Sequence, residues 1–222
     1  MHINQKVKAV AFDLDQTLFS REHAFRALMN SWAGSTLSSH EYAIISAQDH
    51  NGYGDRMAFF SWISQHLGLK LSAQETMLRF RSELPHHIQV EHKSIQLIKR
   101  LRNQGYQVAL LTNGGAELQQ AKLERSQIME HIPDSNIIIS ANTPFQKPQK
   151  EIFQLLCNQI NTPPAEVIYV GDHYTNDALG AHHAGLHSIW LQGNQACPSH
   201  IPKEIFMIAH LEEIENILEK LG

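Results

Sequence analysis

The sequence predicts an α/β protein built on a mainly parallel sheet, interrupted near its start by an all-helical insertion. From about residue 90 onward, helix-like and strand-like stretches alternate. The strand-like stretches are short and apolar, the character of strands covered on both faces. Residues 20–88 break the rhythm with four helical patterns and no strand pattern.

Taken in order, "VKAVAF" reads as a first, buried strand. The insertion follows, with helices expected in "REHAFRALMNSWAG", "SSHEYAIISAQDH", "GDRMAFFSWISQHLGL" and "SAQETMLRFRSEL". In "EHKSIQLIKRLRNQGY", Ile95, Ile98 and Leu101 fall at helical spacing and Gly105 supplies the stop. "YQVALLT" is a strand. "GAELQQAKLERSQI" is a helix with Leu118 and Leu123 as its expected buried positions, and "NIIIS" a β-branched strand. "KPQKEIFQLLCNQI" reads as a helix with Pro148 at an early position. "AEVIYVGD" is a strand, "TNDALGAHHAG" a helix and "HSIWLQ" a strand. "LEEIENILEKL" closes the chain as an amphipathic helix carrying Leu211, Ile214, Ile217, Leu218 and Leu221.

The 222 residues suffice for one substantial core, or for a core with a smaller inserted domain. Hydrophobic residues make up 42% and charged residues 18%, with a net charge of −4, which gives no electrostatic case for nucleic acid or an anionic membrane. Cys157, inside an apolar helical pattern, reads as a core residue, and Cys197 as a loop residue; neither belongs to a zinc-ligand spacing. The start of the sequence lacks a signal-peptide pattern and no apolar run reaches membrane-spanning length, so a reducing, cytoplasmic setting is expected. Most of the 15 histidines, scattered or in isolated pairs, read as surface or satisfied core residues.

Right-handed crossovers place successive strand ends on one edge of a parallel sheet, where sites form. The first strand is followed by Asp13 and Asp15, two apart and so on one side of an extended chain. Two carboxylates held that close need compensation by a cation or a proton. "YQVALLT" runs into Thr112, Asn113 and Gly114. "NIIIS" leads to "FQKPQ" with Lys147, and "EVIYVGD" ends at Gly171 and Asp172, with Asp177 five residues on. Each group alone has an ordinary turn, cap or surface explanation. Together they suit phosphoryl transfer. Asp13, Asp15 and Asp172 make an oxygen-rich set fit for Mg²⁺, Lys147 adds positive charge, and Thr112 and Asn113 offer donors to a phosphate.

"DLDQT", "TNG", "QKP" and "GDHYTND" resemble, in order, the four motifs of the haloacid dehalogenase (HAD) superfamily. The resemblance implies a Rossmann-like core over residues 1–19 and 89–222, with residues 20–88 as a helical C1 cap. It matches Asp13 to the nucleophile and Asp15 to the general acid/base, whose main-chain carbonyl also serves the metal. Thr112 and Lys147 match the phosphate-positioning groups, Asp172 the acidic metal ligand and Asp177 the second acid supporting the metal site. Dehalogenases lack the second Asp of the first motif; phosphatases keep it because an alkoxide leaving group needs a proton. The implied activity is Mg²⁺-dependent hydrolysis of a phosphate monoester of a small metabolite through an aspartyl-phosphate. A phosphomutase of the same architecture is the alternative, and a non-catalytic binding protein a more distant one. Gln16 departs from the Gly frequent after the second Asp. Substrate choice is expected in the cap, where Arg21, Arg56, Arg79, Arg81, Tyr53, Trp62 and His86 are candidates, each with a solvated or core role as its competing reading.

Overall fold

The computed structural model describes residues 6–193 and 195–221. The chain divides into two compact units, one formed by residues up to Phe19 together with those from Val90 onward, the other by Ser20–Gln89.

The first unit starts with strand β1 (Ala9–Phe12), every residue of which is buried. The helical unit follows as α1 (Arg21–Ala33), α2 (Ser39–Asp49), α3 (Arg56–His66) and α4 (Ala73–Glu83). Polar caps define their starts. Ser38 and Ser72 form reciprocal capping boxes with Glu41 and Glu75, and Asp55 accepts from the backbone of Met57 and Ala58. Their interior is aromatic. Phe25 meets Tyr42, Phe59 and Phe80 with ring centroids 6.2–6.3 Å apart, and Phe60 meets Phe80 at 5.2 Å. Asp49, 1% exposed, holds two guanidinium groups: Arg21 Nη1 at 2.8 Å and Arg56 Nη2 at 2.9 Å. Arg56 also donates to the Asp49 carbonyl and lies 4.6 Å from the Phe59 ring centroid. Gly52, at φ +88°, lies so close that a Cβ there would come 3.1 Å from Arg21 Nη2. Arg21, Arg56 and Arg79, which pairs with Glu83, therefore each have a partner inside this unit.

The first unit resumes with α5 (His92–Asn103), β2 (Gln107–Thr112), α6 (Ala116–Ser126), β3 (Ile137–Ile139), α7 (Lys150–Gln159) and β4 (Val167–Gly171). A π-helical stretch (Tyr174–Leu179) leads into the short α8 (Gly180–His183). β5 (His187–Leu191), β6 (Ile205–Ile208) and α9 (Ile214–Leu221) complete it. The sheet is parallel throughout, in the order β3-β2-β1-β4-β5-β6. Ala9, Ala11, Ala109, Leu111, Val167 and Tyr169, alternate residues of three adjacent strands, pack with Ile152, Phe153, Leu156 and Cys157 of α7. Their neighbours Val10, Phe12, Val108, Leu110, Ile168 and Val170 are equally buried. Burial on both faces is why these strands read as continuous apolar runs. The chain winds outward from β1 to β3, then crosses to β4 on the other side of β1. The sheet order thus reverses between β1 and β4, the position where open parallel sheets place their sites.

Several expectations are corrected. β6 is an edge strand that is not among those the sequence predicts. α7 begins at Lys150, so Pro148 lies before the helix, joined to Lys147 by a cis peptide. The "TNDALGAHHAG" helix is π-helical as far as Leu179 and α-helical only over Gly180–His183. In α5, Leu97 joins Ile98 and Leu101 in the core while Ile95 is half-buried. In α6, Leu118 is half-buried, and the buried face is Gln119, Lys122, Leu123 and Ser126. Leu221 of α9 is also only half-buried.

Replacing one partner of the Asp49 pairs leaves two partly buried guanidinium groups without their counterion. Asp49→Asn is expected to lower unfolding stability by about 3 kcal/mol in urea denaturation. Lys93→Gln, which removes the exposed pair with Glu91, should cost less than about 0.5 kcal/mol.

Candidate active site

β1 and β4 each deliver a carboxylate at the reversal point. The Asp13 backbone N–H donates to the Val170 carbonyl at 2.9 Å, so sheet pairing extends one residue past β1 and directs Asp13 beside the end of β4. After β4, the Asp172 carbonyl is fixed by Trp190 Nε1 at 2.8 Å and Gln195 Nε2 at 2.9 Å. Asp177 folds back from the π-helical stretch and accepts from the His173 backbone N–H at 2.9 Å. It reaches this place only because residue 171 is glycine: a Cβ there would lie 2.4 Å from Asp177 Cβ and Cγ. One oxygen from each of Asp13, Asp172 and Asp177 lies within 4.8 Å of the other two.

Lys147 enters from the connection between β3 and α7. Asn113, just past β2, holds its backbone at two points. Asn113 Oδ1 accepts from Lys147 N and Asn113 Nδ2 donates to Lys147 O, both at 3.0 Å. The Lys147 ammonium is 3% exposed and uses its three hydrogens on Asp13 Oδ1 at 2.5 Å, Asp177 Oδ1 at 2.6 Å and the Tyr169 hydroxyl at 3.0 Å. Tyr169 in turn donates to the Leu111 carbonyl of β2 at 2.8 Å.

Asp15 is partnered differently. Lys122 Nζ donates to both its carboxylate oxygens, at 2.8 and 2.7 Å, and Gln119 Nε2 donates to Oδ2 at 3.0 Å. Gln119 spends its other amide hydrogen on Thr112 Oγ1 at 2.6 Å. Thr112, 1% exposed, is thereby linked to Asp15 through one side chain. The Asp15 carboxylate is not one of the three clustered acids.

The charges do not balance locally. Asp15 and Lys122 neutralise each other, but the cluster of Asp13, Asp172 and Asp177 has one ammonium, Lys147, which pairs with Asp13 and Asp177. With every one of these groups ionised, two negative charges are left over in a buried place. Burial, more than any neighbour, pushes the Asp13 carboxyl up to about 7, with Lys147 opposing the rise. Asp172 is raised by burial and then by the charges of Asp177 and Asp13. Burial works against the Lys147 charge, but Asp13 and Asp177 outweigh it and hold the ammonium well above its ordinary range. Burial keeps Tyr169 a neutral phenol. The donor set is all oxygen, closely spaced and two charges short, which fits a hard divalent cation.

Of the residues singled out in the sequence, Asp13, Lys147, Asp172 and Asp177 form one cluster. Asn113 and Thr112 border it, one fastening Lys147 and the other joined to Asp15. Gln119, Lys122 and Tyr169 carry no such signal. Gln119 and Lys122 stand three apart on a mainly polar helix, a pattern no different from a solvated face, and Tyr169 sits in an apolar strand run that reads as core.

The family model for "haloacid dehalogenase-like hydrolase" matches residues 7–185. Among curated relatives, the pyrimidine 5'-nucleotidase YjjG of Escherichia coli is 29% identical over 128 residues, spanning 57% of this chain and 56% of that protein. The glyceraldehyde 3-phosphate phosphatase of Methanopyrus kandleri is 26% identical over 193 residues, 81% of this chain and 82% of the relative. Among solved structures, the Bacillus subtilis protein assigned as HAD-hydrolase YfnB, bound to magnesium, aligns with a TM-score of 0.78 at 24% identity, covering 96% of this chain and 99% of that one.

The raised carboxyls give stability a defined pH dependence in the presence of a chelator. Between the ordinary carboxylate range and about 7, folded Asp13 holds a proton that the unfolded chain has released. Stability contributed by this group is present at acid pH and is lost as pH rises through that window. Asp13→Asn removes the titration and one excess charge. In EDTA its Tm is expected to exceed that of the wild type at pH 8, with the gap shrinking toward pH 5, measured by calorimetry. A pH-independent gap would contradict the burial of Asp13 as a strained carboxylate.

Proposed function

The chain belongs to the haloacid dehalogenase-like hydrolase family, and from that premise we propose that it hydrolyses phosphate monoesters of small metabolites through an aspartyl-phosphate formed on Asp13. The observation that carries this reading is the pairing of two aspartates two residues apart with opposite surroundings. Asp13 is buried against Lys147 among the clustered acids. Asp15 stands outside that cluster, partly open at 21% side-chain exposure, and held by Lys122. One is suited to attack, the other to proton transfer.

In this reading an oxygen of Asp13 attacks phosphorus, and the phosphorus–ester oxygen bond breaks. Asp15 enters this step protonated and gives that proton to the departing oxygen. Water then attacks the phosphoryl group on Asp13, Asp15 takes the proton from that water, and inorganic phosphate leaves with the Asp13 carboxylate regenerated. Lys147 orients Asp13 and offsets charge as the phosphate approaches, while Asn113 keeps Lys147 in place. Asp13 and Asp172, with Asp177 in support, would hold a divalent cation, Mg²⁺ by the hardness of the donors, which supplies the positive charge that lets a phosphate dianion enter an acidic site.

The relatives named as phosphatases support the reaction class. Their named substrates differ, from a nucleotide to a triose phosphate, so the class assigned to this chain is the phosphate monoester rather than one compound. Asp15 also sets phosphatase chemistry apart from dehalogenation, in which the leaving halide takes no proton.

A panel of phosphorylated metabolites with Mg²⁺ is expected to release inorganic phosphate from at least one member, and EDTA to abolish the release until Mg²⁺ is restored. Asp13→Asn should fall below about 10⁻³ of wild-type turnover while keeping its circular dichroism spectrum. Formation of an isomeric phosphate ester without free phosphate would instead indicate a phosphomutase, and turnover unaffected by chelation would contradict the cation assignment.

A further inference from the structure

Lys122 is an ammonium buried in a helix that the sequence presents as polar, and the proposed reaction does not use it. Its side chain is 4% exposed. Placing an ammonium there is unfavourable unless its partner is well made. The partner is Asp15, whose two oxygens it reaches at 2.8 and 2.7 Å. Gln119, one helical turn earlier and 1% exposed, adds a third bond to the same carboxylate at 3.0 Å. It is itself tied to Thr112 at 2.6 Å. Gly114 makes room for it, since a Cβ there would come 3.0 Å from Gln119 Cγ and Cδ. The loop carrying Asp15 turns at Gln16, whose φ is +61°. The neighbouring excess of negative charge repels a carboxylate. Three hydrogen bonds from one helix face hold it against that repulsion.

We propose that Lys122 and Gln119 are positioning residues for the proton-transfer step: together they fix the Asp15 carboxylate in the orientation from which it exchanges a proton with the leaving oxygen and with the attacking water. This rests on the phosphatase reading, and within it on Asp15 as the acid/base. The helix face thus serves the site through Asp15 and Thr112. A structural tie between α6 and the loop after β1 would use the same bonds, but it would affect every substrate alike.

Leaving-group dependence separates the two. Lys122→Met is compared with wild type on an alkyl phosphate from the panel above, whose leaving oxygen needs a proton, and on 4-nitrophenyl phosphate, whose leaving group does not. The expected result is a loss of kcat of roughly 100-fold on the alkyl phosphate and less than about 5-fold on the aryl phosphate, since general acid catalysis is worth about 10² or more where the leaving group is poor. KM should stay within about 3-fold on both, as the bonds removed do not bind substrate. Lys122→Arg should recover part of the alkyl activity. In an Asp15→Asn background, Lys122→Met should add no further loss. Gln119→Met, which keeps the ammonium, is the second variant and should show the same substrate contrast at smaller amplitude. Equal losses on both substrates, or a full additional loss on top of Asp15→Asn, would overturn the assignment and leave Lys122 a structural tie. A wild-type protein that releases phosphate from neither substrate would overturn the phosphatase reading, and this inference with it, through a different signal: silence of the parent rather than of the variant.

Discussion

One ammonium bonded to two buried carboxylates, with a third, half-buried one beside them, is the constraint on which the candidate site depends. Lys147 spends every hydrogen it has, two of them on Asp13 and Asp177. With Asp172 close by, the cluster still carries more negative charge than it can neutralise. Buried charge of one sign is expensive, and a fold meets that expense by taking up protons or a cation. The upward displacement of the Asp13 and Asp172 carboxyls is the first response. The proposed function uses the second: a divalent cation held there would also let a phosphate dianion enter.

The rest of the first unit can be understood as the means of assembling that cluster from remote segments. The reversal of strand order between β1 and β4 sets Asp13 beside Asp172. The absence of a side chain at Gly171 lets Asp177 fold back against the strand end. Asn113 reads the backbone of Lys147 as a neighbouring strand would, with one donor and one acceptor. Tyr169 spans from the Leu111 carbonyl to the ammonium and so ties the lysine to the middle of the sheet. None of these contacts lies within one secondary-structure element, so the site exists only when β1, β2 and β4 are assembled.

Much of this is legible in the order of residues alone. The strands buried on both faces announce themselves as apolar runs, and of the residues that follow them, Asp13, Lys147, Asp172 and Asp177 meet in one cluster. What the sequence hides, it hides for physical reasons. β6 is short, and two of its four residues are not buried, Met207 being 42% exposed; an edge strand so sparsely covered lacks the two-sided burial that marks the central strands. Pro148 at an apparent helix start lies outside α7, because the local pattern does not say where the first helical turn closes. Gln119 and Lys122 are invisible because sequence periodicity reports apolar faces, whereas here a helix turns a polar face inward to meet Asp15. In the helical unit, Arg21, Arg56 and Arg79, which stand out as candidate contacts for a substrate, are engaged with Asp49 and Glu83, partners whose distance in sequence or polar surroundings conceal the pairing.

The most direct test of the shared-ammonium account is a crystal soaked with Mn²⁺ and measured for anomalous scattering. The account predicts a peak in contact with the carboxylates of Asp13 and Asp172, absent from crystals of Asp172→Asn. A fully occupied peak elsewhere in the protein with none between these two side chains, or one that persists unchanged in the variant, would contradict it.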